Sequence, residues 1–276
     1  MLQSSNAVTV FVKFQKLKAS LSFILMENRT RRRLRALFWI VGLAILFALC
    51  IGASAQSADE IIAKNIAARG GLEKLQAIQS SRVTSTIDQG GFRATVIQEN
   101  KRPNMLRTNF IVQGMTATTA YDGSTGWRIS HFQGRKDPEL IGEDELKAIA
   151  ENSDIDGPLL DYKAKGHTIE YLGHDEVDGD DAYKLKVTLK SGDIFYYYFD
   201  PDTFLEIQRE IQIFVRGSVR ESVVQLGSYK AVDGVMYPFS VESWSKSNPG
   251  ARSKNTVQKI EINVSVPDTD FKMPAK

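Results

Sequence analysis

The residues that most often perform catalysis form no recognisable catalytic group in this sequence. None of the three histidines, His131, His167 and His174, belongs to an HxxxH or HExxH pattern, and one cysteine cannot complete a zinc ligand set. Residues 122–127 (DGSTGW) place a serine between glycines, but they lack the G-x-S-x-G pattern of a nucleophile elbow. We therefore expect a protein that is not an enzyme, and a hydrolase with an unrecognised site stays open as an alternative.

An acidic stretch at residues 174–181 (HDEVDGDD) could offer oxygen ligands to calcium. It lacks the spacing of an EF-hand loop and the glutamate that closes such a loop. Asp178-Gly179 is instead typical of a hairpin turn between two strands. We therefore expect a solvated acidic turn here, and neither a metal ion nor any other cofactor in the protein.

One arginine occupies a position that would suit ligand binding. In the alternating segment 205–215, Arg209 lies at the centre of an otherwise apolar face. The apolar members of that face are Leu205, Ile207, Ile211, Ile213 and Val215. Either a bulge or an extended side chain takes Arg209 to solvent, or its guanidinium stands in a hydrophobic cavity and meets an acidic or polar headgroup. Both interpretations stay open at this point.

A second alternating segment, with Val235, Tyr237, Phe239 and Val241 on one face, adds apolar side chains to this candidate cavity. Together the two segments predict seven ligand-binding side chains that face the cavity: Leu205, Ile207, Arg209, Ile211, Ile213, Tyr237 and Phe239. Residues 195–199 (FYYYF) carry rings on both faces of one strand. Such a strand is covered on both sides, by core packing or by a ligand.

The elements that position these residues are predicted to be two helices followed by many strands. Ser57 can cap a helix that ends at Gly70 and Gly71, and a shorter helix is predicted at about residues 72–78. From Ser80 onward the hydrophobic period is two, with one helical interruption at residues 143–151. We predict a mainly β fold (α+β) with an N-terminal helix and about ten or eleven antiparallel strands. That many strands in one sheet curl into a barrel or half-barrel.

Residues 26–55 have the pattern of an export signal. Five arginines precede an apolar run that ends in Ala53-Ser54-Ala55, an A-x-A cleavage pattern. A membrane-anchoring helix is an alternative, although a spanning helix needs about 20 apolar residues. Lipidation at Cys50 is disfavoured by the bulky residue that precedes it. We therefore expect residues 1–25 to be an over-extended N-terminus, 26–55 a cleaved signal peptide and 56–276 a single domain.

The composition suits such an exported domain. The chain has 276 residues, of which 42% are hydrophobic and 25% charged, as in ordinary globular proteins. Residues 1–55 contain eight basic residues and one acidic residue, which leaves 27 basic and 32 acidic residues, a net charge of −5, over residues 56–276. We expect no nucleic-acid partner, because phosphate binding needs a concentrated positive surface.

Several short motifs follow one another in a characteristic order. After the signal and the helix into Gly70-Gly71-Leu72 come residues 121–127 (YDGSTGW), residues 173–179 before YKL, the aromatic strand into Asp200, residues 229–238 (YKAVDGVMYP) and residues 271–274 (FKMP). This order resembles the periplasmic outer-membrane lipoprotein-sorting family typified by LolA and LolB. The resemblance implies a strongly curved antiparallel sheet that forms a half-open β-barrel closed by helices, with a hydrophobic cavity that shields acyl chains.

On this resemblance we expect a non-catalytic carrier or binding protein for lipids or lipoprotein acyl chains. It would act in the periplasm, as a monomer and without a cofactor. An alternative use of the same fold is an envelope sensory or scaffold domain that binds an envelope protein. Lipid that co-purifies with the protein would distinguish the first function from the second.

The cleavage pattern makes a direct prediction about the exported protein. We expect its N-terminus to be Gln56, because the A-x-A motif ends at Ala55. N-terminal sequencing of the exported protein tests this. A membrane fraction whose protein still contains residues 31–55 would instead support the anchoring helix.

Overall fold

Three helices and fifteen strands make up the part of the chain that the computed structural model describes, residues 57–215 and 217–275. The proposed over-extended N-terminus and signal peptide lie outside these residues. The helices are α1 (Ala58–Ala68), α2 (Leu72–Ala77) and α3 (Glu143–Ser153). Within the described residues, none of these helices has the length and hydropathy needed to cross a membrane.

Helix α1 begins with a reciprocal cap. The Ser57 Oγ accepts a hydrogen bond from the Glu60 N–H at 3.2 Å, and the Glu60 carboxylate accepts one from the Ser57 N–H at 3.1 Å. This capping box satisfies two backbone donors that the first turn leaves without a helical partner. The helix ends at Arg69, and Gly70 follows with φ of +122°. The predicted beginning and end of the helix are therefore confirmed.

Thirteen strands form one antiparallel sheet, and two form a separate hairpin. The strands are β1 (Ser80–Gln89), β2 (Phe92–Lys101), β3 (Met105–Val112), β4 (Met115–Tyr121), β5 (Gly126–Ser130), β6 (Glu139–Leu140), β7 (Thr168–Val177), β8 (Asp180–Thr188), β9 (Ile194–Phe199), β10 (Glu206–Val215), β11 (Ser218–Gly227), β12 (Lys230–Val232), β13 (Val235–Tyr237), β14 (Ser240–Ser245) and β15 (Asn248–Ile262). The order in the sheet is β6-β5-β4-β3-β2-β1-β15-β14-β11-β10-β9-β8-β7. Because β6 and β7 do not pair, the sheet stays open, as in a curved open barrel. The prediction of a mainly β antiparallel fold is confirmed to that extent.

Two sequence predictions about the strands were wrong. The chain forms fifteen strands within the described residues, and not ten or eleven. In addition, residues 235–241 do not form one strand, because Pro238 has no N–H to donate to a ladder. Residues before this proline pair in the β12–β13 hairpin, and those after it begin β14 in the main sheet.

One face of the sheet, which we call the helix face, packs against α1 and α3. Helix α1 places Ile61 and Ile62 in a core with Leu185 of β8 and Phe199 of β9, and three of these four side chains are fully buried. Helix α3 lies over the other half of the sheet, where the Asn152 carbonyl accepts a hydrogen bond from the Asn100 amide at 3.2 Å. The two helices therefore cover opposite ends of the same face.

The C-terminal segment covers part of the opposite face. Phe271 is completely buried, and its carbonyl accepts a hydrogen bond from Trp127 Nε1 at 2.8 Å. Residues 122–125 form a turn, in which the Asp122 N–H donates to the Thr125 carbonyl, and this turn leads the buried Trp127 into β5. The segment anchors the β3–β5 end of the sheet from outside, while α3 anchors it from the helix face.

The junction between α1 and α2 docks on the β12–β13 hairpin. The Met236 N–H donates to the Arg69 carbonyl at 2.9 Å, which joins the junction to β13. A Cβ added to Gly70 would lie 2.3 Å from the Gly234 carbonyl oxygen. Gly71 has φ of +94°, but a Cβ there would meet no atom within 4 Å. The backbone conformation therefore favours glycine at both positions, but only at Gly70 would a side chain also collide with a neighbouring atom.

These two glycines allow the steric and conformational contributions to be separated. We expect Gly71→Ala to lower the free energy of unfolding by about 2 kcal/mol, through backbone strain alone. Gly70→Ala should cost at least about 2 kcal/mol more, because the new methyl group collides with a backbone carbonyl that cannot rotate away. Urea denaturation of both variants measures the difference. Equal losses would show that α1 and the hairpin are not packed as described.

Candidate functional site

A β-bulge in β10 decides which side chains share the helix face. Glu206 pairs with Phe199 of β9 and Gln208 pairs with Tyr198, so Ile207 is an extra residue between them. Ile207 packs with the cluster around Tyr198 on the face opposite the helices. Beyond the bulge, Arg209 pairs with Tyr197, which returns Arg209 to the helix face. The bulge therefore moves Ile207, and not Arg209, out of the predicted row.

Three of the seven predicted ligand-binding residues lie together on the helix face. Arg209, Ile211 and Ile213 follow one another at alternate positions of β10, and all three are half-buried. Leu205 precedes the strand, and its carbonyl accepts the Asp200 N–H at 3.0 Å. The structure thus keeps the centre of the predicted row together and separates Leu205 and Ile207 from it.

The other two predicted residues lie near the hairpin. Tyr237 ends β13 and lines a cavity described below. Phe239 lies between β13 and β14, where the Lys230 ammonium stands 4.6 Å from the centre of its ring. The sequence pattern had placed both residues on one strand, whereas Pro238 puts them in different surroundings.

Arg209 is held in a fixed ion pair and against an aromatic ring. Its Nε and Nη2 donate to the two carboxylate oxygens of Glu206 at 2.8 and 2.9 Å, and its guanidinium stands 4.5 Å from the centre of the Tyr197 ring. Burial acts to lower the pKa of Arg209, but the Glu206 charge, the neighbouring tyrosines and the hydrogen bonds to Glu206 together outweigh it, so the pKa is raised and the cation persists. Because Glu206 balances its charge, Arg209 is not a free cation of the cavity.

A row of apolar side chains continues from β10 across the neighbouring strands of the helix face. Val224 pairs with Arg209, and Leu226 pairs with Val241 of β14. We call the set Ile211, Ile213, Val224, Leu226 and Val241 the apolar trough, and every member is half-buried. Under α1, by contrast, Leu185 and Val187 on the same face are fully buried. The trough is therefore sheltered apolar surface that the core does not fill.

A cavity of about 190 Å³, which we call the Arg69 cavity, opens on the same face. Its floor includes Ser81 and Val83 of β1 and their partners Asn100 and Gln98 of β2. The remaining lining comes from Arg69, from Leu75 of α2 and Ile78, from Tyr237 and Leu160, from Asn152 at the end of α3, and from residues 154–156 that follow it. The cavity thus combines apolar walls, amide groups and three charged residues.

Only one of the three charged lining residues lacks a partner of opposite charge within the described residues. Asp156 accepts two hydrogen bonds of 2.6 Å from the Arg102 guanidinium, and Asp154 pairs with the Lys165 ammonium. For Arg69, no carboxylate of residues 57–215 and 217–275 lies within ion-pair distance. The cavity therefore carries one uncompensated positive charge.

Tyrosines surround the region between the Arg69 cavity and the trough. Burial raises the pKa of Tyr197, Tyr229 and Tyr237, while the Arg69 charge acts in the opposite direction at all three. The Tyr229 hydroxyl donates to the Glu206 carbonyl at 2.7 Å. The buried Tyr197 hydroxyl has no hydrogen-bond partner among the described residues. These phenols stay protonated at neutral pH, and Tyr237, which lines the Arg69 cavity, can donate a hydrogen bond to an anionic ligand there.

The sequence pattern did not identify Arg69 or these tyrosines as site residues. Arg69 appeared only as the last residue before the glycines that end α1. Its position directly before the motif Gly70-Gly71-Leu72 could have pointed to it, because this motif forms the helix junction, and the junction forms one wall of the cavity.

A larger recess of about 690 Å³ lies on the face opposite the helices. Ile207 lines it with the turn residues Asp178, Asp180 and Asp181 and with Asp200 and Asp202. The structure places residues 174–181 at the β7–β8 turn, as the sequence predicted. In the described part of the chain, no group of three or more histidine, cysteine or acidic residues is arranged to hold a metal ion. The recess is acidic and open, which suits solvent better than an acyl chain.

Known proteins resemble this chain in structure but not in sequence. No protein-family model matches the sequence, and no curated protein is significantly similar to it. A LolA superfamily protein from Nitrosomonas europaea matches with a TM-score of 0.56 and 13% identity, over 79% of this chain and 98% of that one. A DUF1329 family protein from Desulfovibrio piger matches with a TM-score of 0.54 and 14% identity, over 78% and 96%.

An outer membrane lipoprotein-sorting protein domain from Vibrio parahaemolyticus also matches, with a TM-score of 0.52 and 11% identity, over 77% of this chain and 94% of that one. At such identities the likeness concerns the fold. The resemblance to the lipoprotein-sorting family is thereby confirmed at the level of the fold, with the low identity of a divergent member.

The Arg209–Glu206 pair predicts a specific pattern of stability. Arg209→Met should lower the free energy of unfolding by about 2 kcal/mol or more, because it leaves the poorly exposed Glu206 carboxylate without its cation. The double variant Arg209→Met/Glu206→Met should recover most of that loss. Urea denaturation measures both.

A matched control is available at the surface. Arg93 and Asp88 form an ion pair with side chains 74% and 45% exposed, so Arg93→Met should change stability by less than about 1 kcal/mol. If Arg209→Met lowered the free energy of unfolding by no more than this control, the Arg209–Glu206 ion pair would not stabilise the helix face.

Proposed function

We propose that this protein is a non-catalytic periplasmic carrier or binding protein for lipids or lipoprotein acyl chains. The apolar trough is the observation that carries the proposal. Its side chains lie on the covered face of the sheet, yet all remain half-buried, whereas Leu185 and Val187 of the same face under α1 are fully buried. A protein that only needed a stable core would gain by filling this space.

The trough can bind acyl chains by the hydrophobic effect alone. Each methylene group moved from water into such an environment contributes about 0.8 kcal/mol. Binding therefore needs no cofactor or energy source, and a shallow, half-open trough can also release its ligand. A LolA-like fold supports this use, because the Vibrio parahaemolyticus domain of the same fold is described as lipoprotein-sorting.

The helices would close this half-open barrel on the helix face. Helix α1 packs on β8 and β9 at one end, and α3 contacts β3 and β4 at the other. Helix α3 also reaches across the face, since the Lys147 ammonium lies 2.7 Å from the buried Asp193 carboxylate that precedes β9. This ion pair joins α3 to the loop that precedes β9.

Binding of an acyl probe tests the proposal. Delipidated protein should bind a fluorescent fatty-acyl probe, and phospholipid or lipopeptide should displace it. Ile211→Glu should weaken binding at least tenfold, because a carboxylate without a partner is strongly unfavourable in contact with an acyl chain. Mass spectrometry of organic extracts of the purified protein would identify any lipid that co-purifies.

Phe214→Glu is the matched control for that substitution. Phe214 belongs to the same strand, but it alternates onto the other face and is 51% exposed. The Phe214→Glu variant should bind the probe with the same affinity as the unaltered protein. Circular dichroism must show unchanged strand content in both variants. If the folded, delipidated protein binds no probe, the proposal fails, and the envelope sensory or scaffold domain becomes the better explanation.

A further inference from the structure

We infer that Arg69 anchors the anionic headgroup of the bound lipid, so that the ligand is a fatty acid or a phospholipid rather than a neutral acyl group. This inference rests on the proposed function, and it assigns the chemical class of the ligand. It replaces Arg209, the cation that the sequence pattern had suggested for this role.

The charges around the Arg69 cavity carry the inference. Among the charged residues that line it, Asp154 and Asp156 each have a cationic partner, and only Arg69 has no carboxylate within ion-pair distance in the described residues. An uncompensated guanidinium in a confined space favours an anionic ligand, because it can donate two parallel hydrogen bonds to a carboxylate or phosphate. Arg209 is less suited to this role, since its Nε and Nη2 already donate to the Glu206 carboxylate, which balances its charge.

The lining of the cavity matches an amphiphile. The apolar side chains of Leu75, Ile78, Val83 and Leu160 would contact the first methylene groups of the chain. The amides of Gln98, Asn100 and Asn152 supply further polar contacts beside Arg69. A volume of about 190 Å³ holds a headgroup and a few carbons, but not a complete lipid. The apolar trough, on the same face of the sheet, would take the rest.

The chemistry of the headgroup separates the two kinds of cargo in the proposed function. An acylated protein N-terminus presents neutral esters and amides to a cavity. A free fatty acid presents a carboxylate, and a phospholipid presents a phosphate. Because a neutral headgroup offers Arg69 no counter-charge, the Arg69 cavity would favour an anionic headgroup over an acylated N-terminus.

The test compares three ligands that share a ten-carbon chain: decanoate, decyl phosphate and decanol. Each displaces N-phenyl-1-naphthylamine, an uncharged fluorescent probe, from the delipidated protein. We expect decanoate and decyl phosphate to bind at least tenfold more tightly than decanol. Arg69→Gln should remove this preference by weakening the binding of both anions, and it should not weaken the binding of decanol. The stronger of the two anions identifies the fatty acid or the phospholipid as the natural class.

Two further variants keep the test decisive. Arg93→Gln removes an exposed cation on the same domain and should keep the full anionic preference. Arg69→Lys keeps the charge without the planar fork and should keep only part of the preference. Circular dichroism and thermal denaturation confirm that each variant is folded.

The outcomes separate this inference from the proposed function. Tight binding of all three ligands with equal affinity, or a preference that survives Arg69→Gln, overturns the headgroup anchor alone. Failure of the probe and of every ligand to bind overturns the carrier function, and the anchor with it.

Discussion

A sheet that does not close cannot bury its inner face by itself, and this constraint governs the rest of the molecule. The edge strands β6 and β7 do not pair, so the helix face must be covered by other elements. Two helices of eleven residues and one of six are too few to cover thirteen strands. They cover the two ends, and the strands between them keep an apolar surface that is sheltered but unfilled. The proposed binding site is therefore a direct result of the ratio of strands to helices.

The polar groups of the helix face must also be satisfied within this incompletely covered face. A buried arginine is tolerable only with a partner, and the bulge at Ile207 brings Glu206 onto the face where Arg209 needs it. The ion pair then supports the Tyr197 ring within the core under α1. One extra residue in a strand thus organises both the charge balance and the packing at the border of the trough.

The sequence predicted the features that depend on neighbours along the chain. The cap at Ser57, the end of α1 at the glycines and the alternation of the long strands all follow from local pattern. The bulge did not, because it exists only in the pairing of β10 with β9. The proposed role of Arg69 was equally hidden, since it depends on the cavity partners Asp154 and Asp156, which pair with Lys165 and Arg102 and leave Arg69 without a carboxylate partner among the described residues.

The docking of the α1–α2 junction on the hairpin has an entropic consequence. The Arg69 N–H donates to Asn65 in the helix, and its carbonyl accepts from Met236 in the hairpin, so its backbone is fixed from both sides. Gly70 fits against Gly234 with no room for a side chain. A ligand of the proposed kind would therefore meet a cation whose main chain is already immobilised, so that on the protein's side of this contact mainly the rotamer freedom of one side chain would be lost. The close contact between Gly70 and Gly234 thereby preorganises the wall of the cavity to which Arg69 belongs.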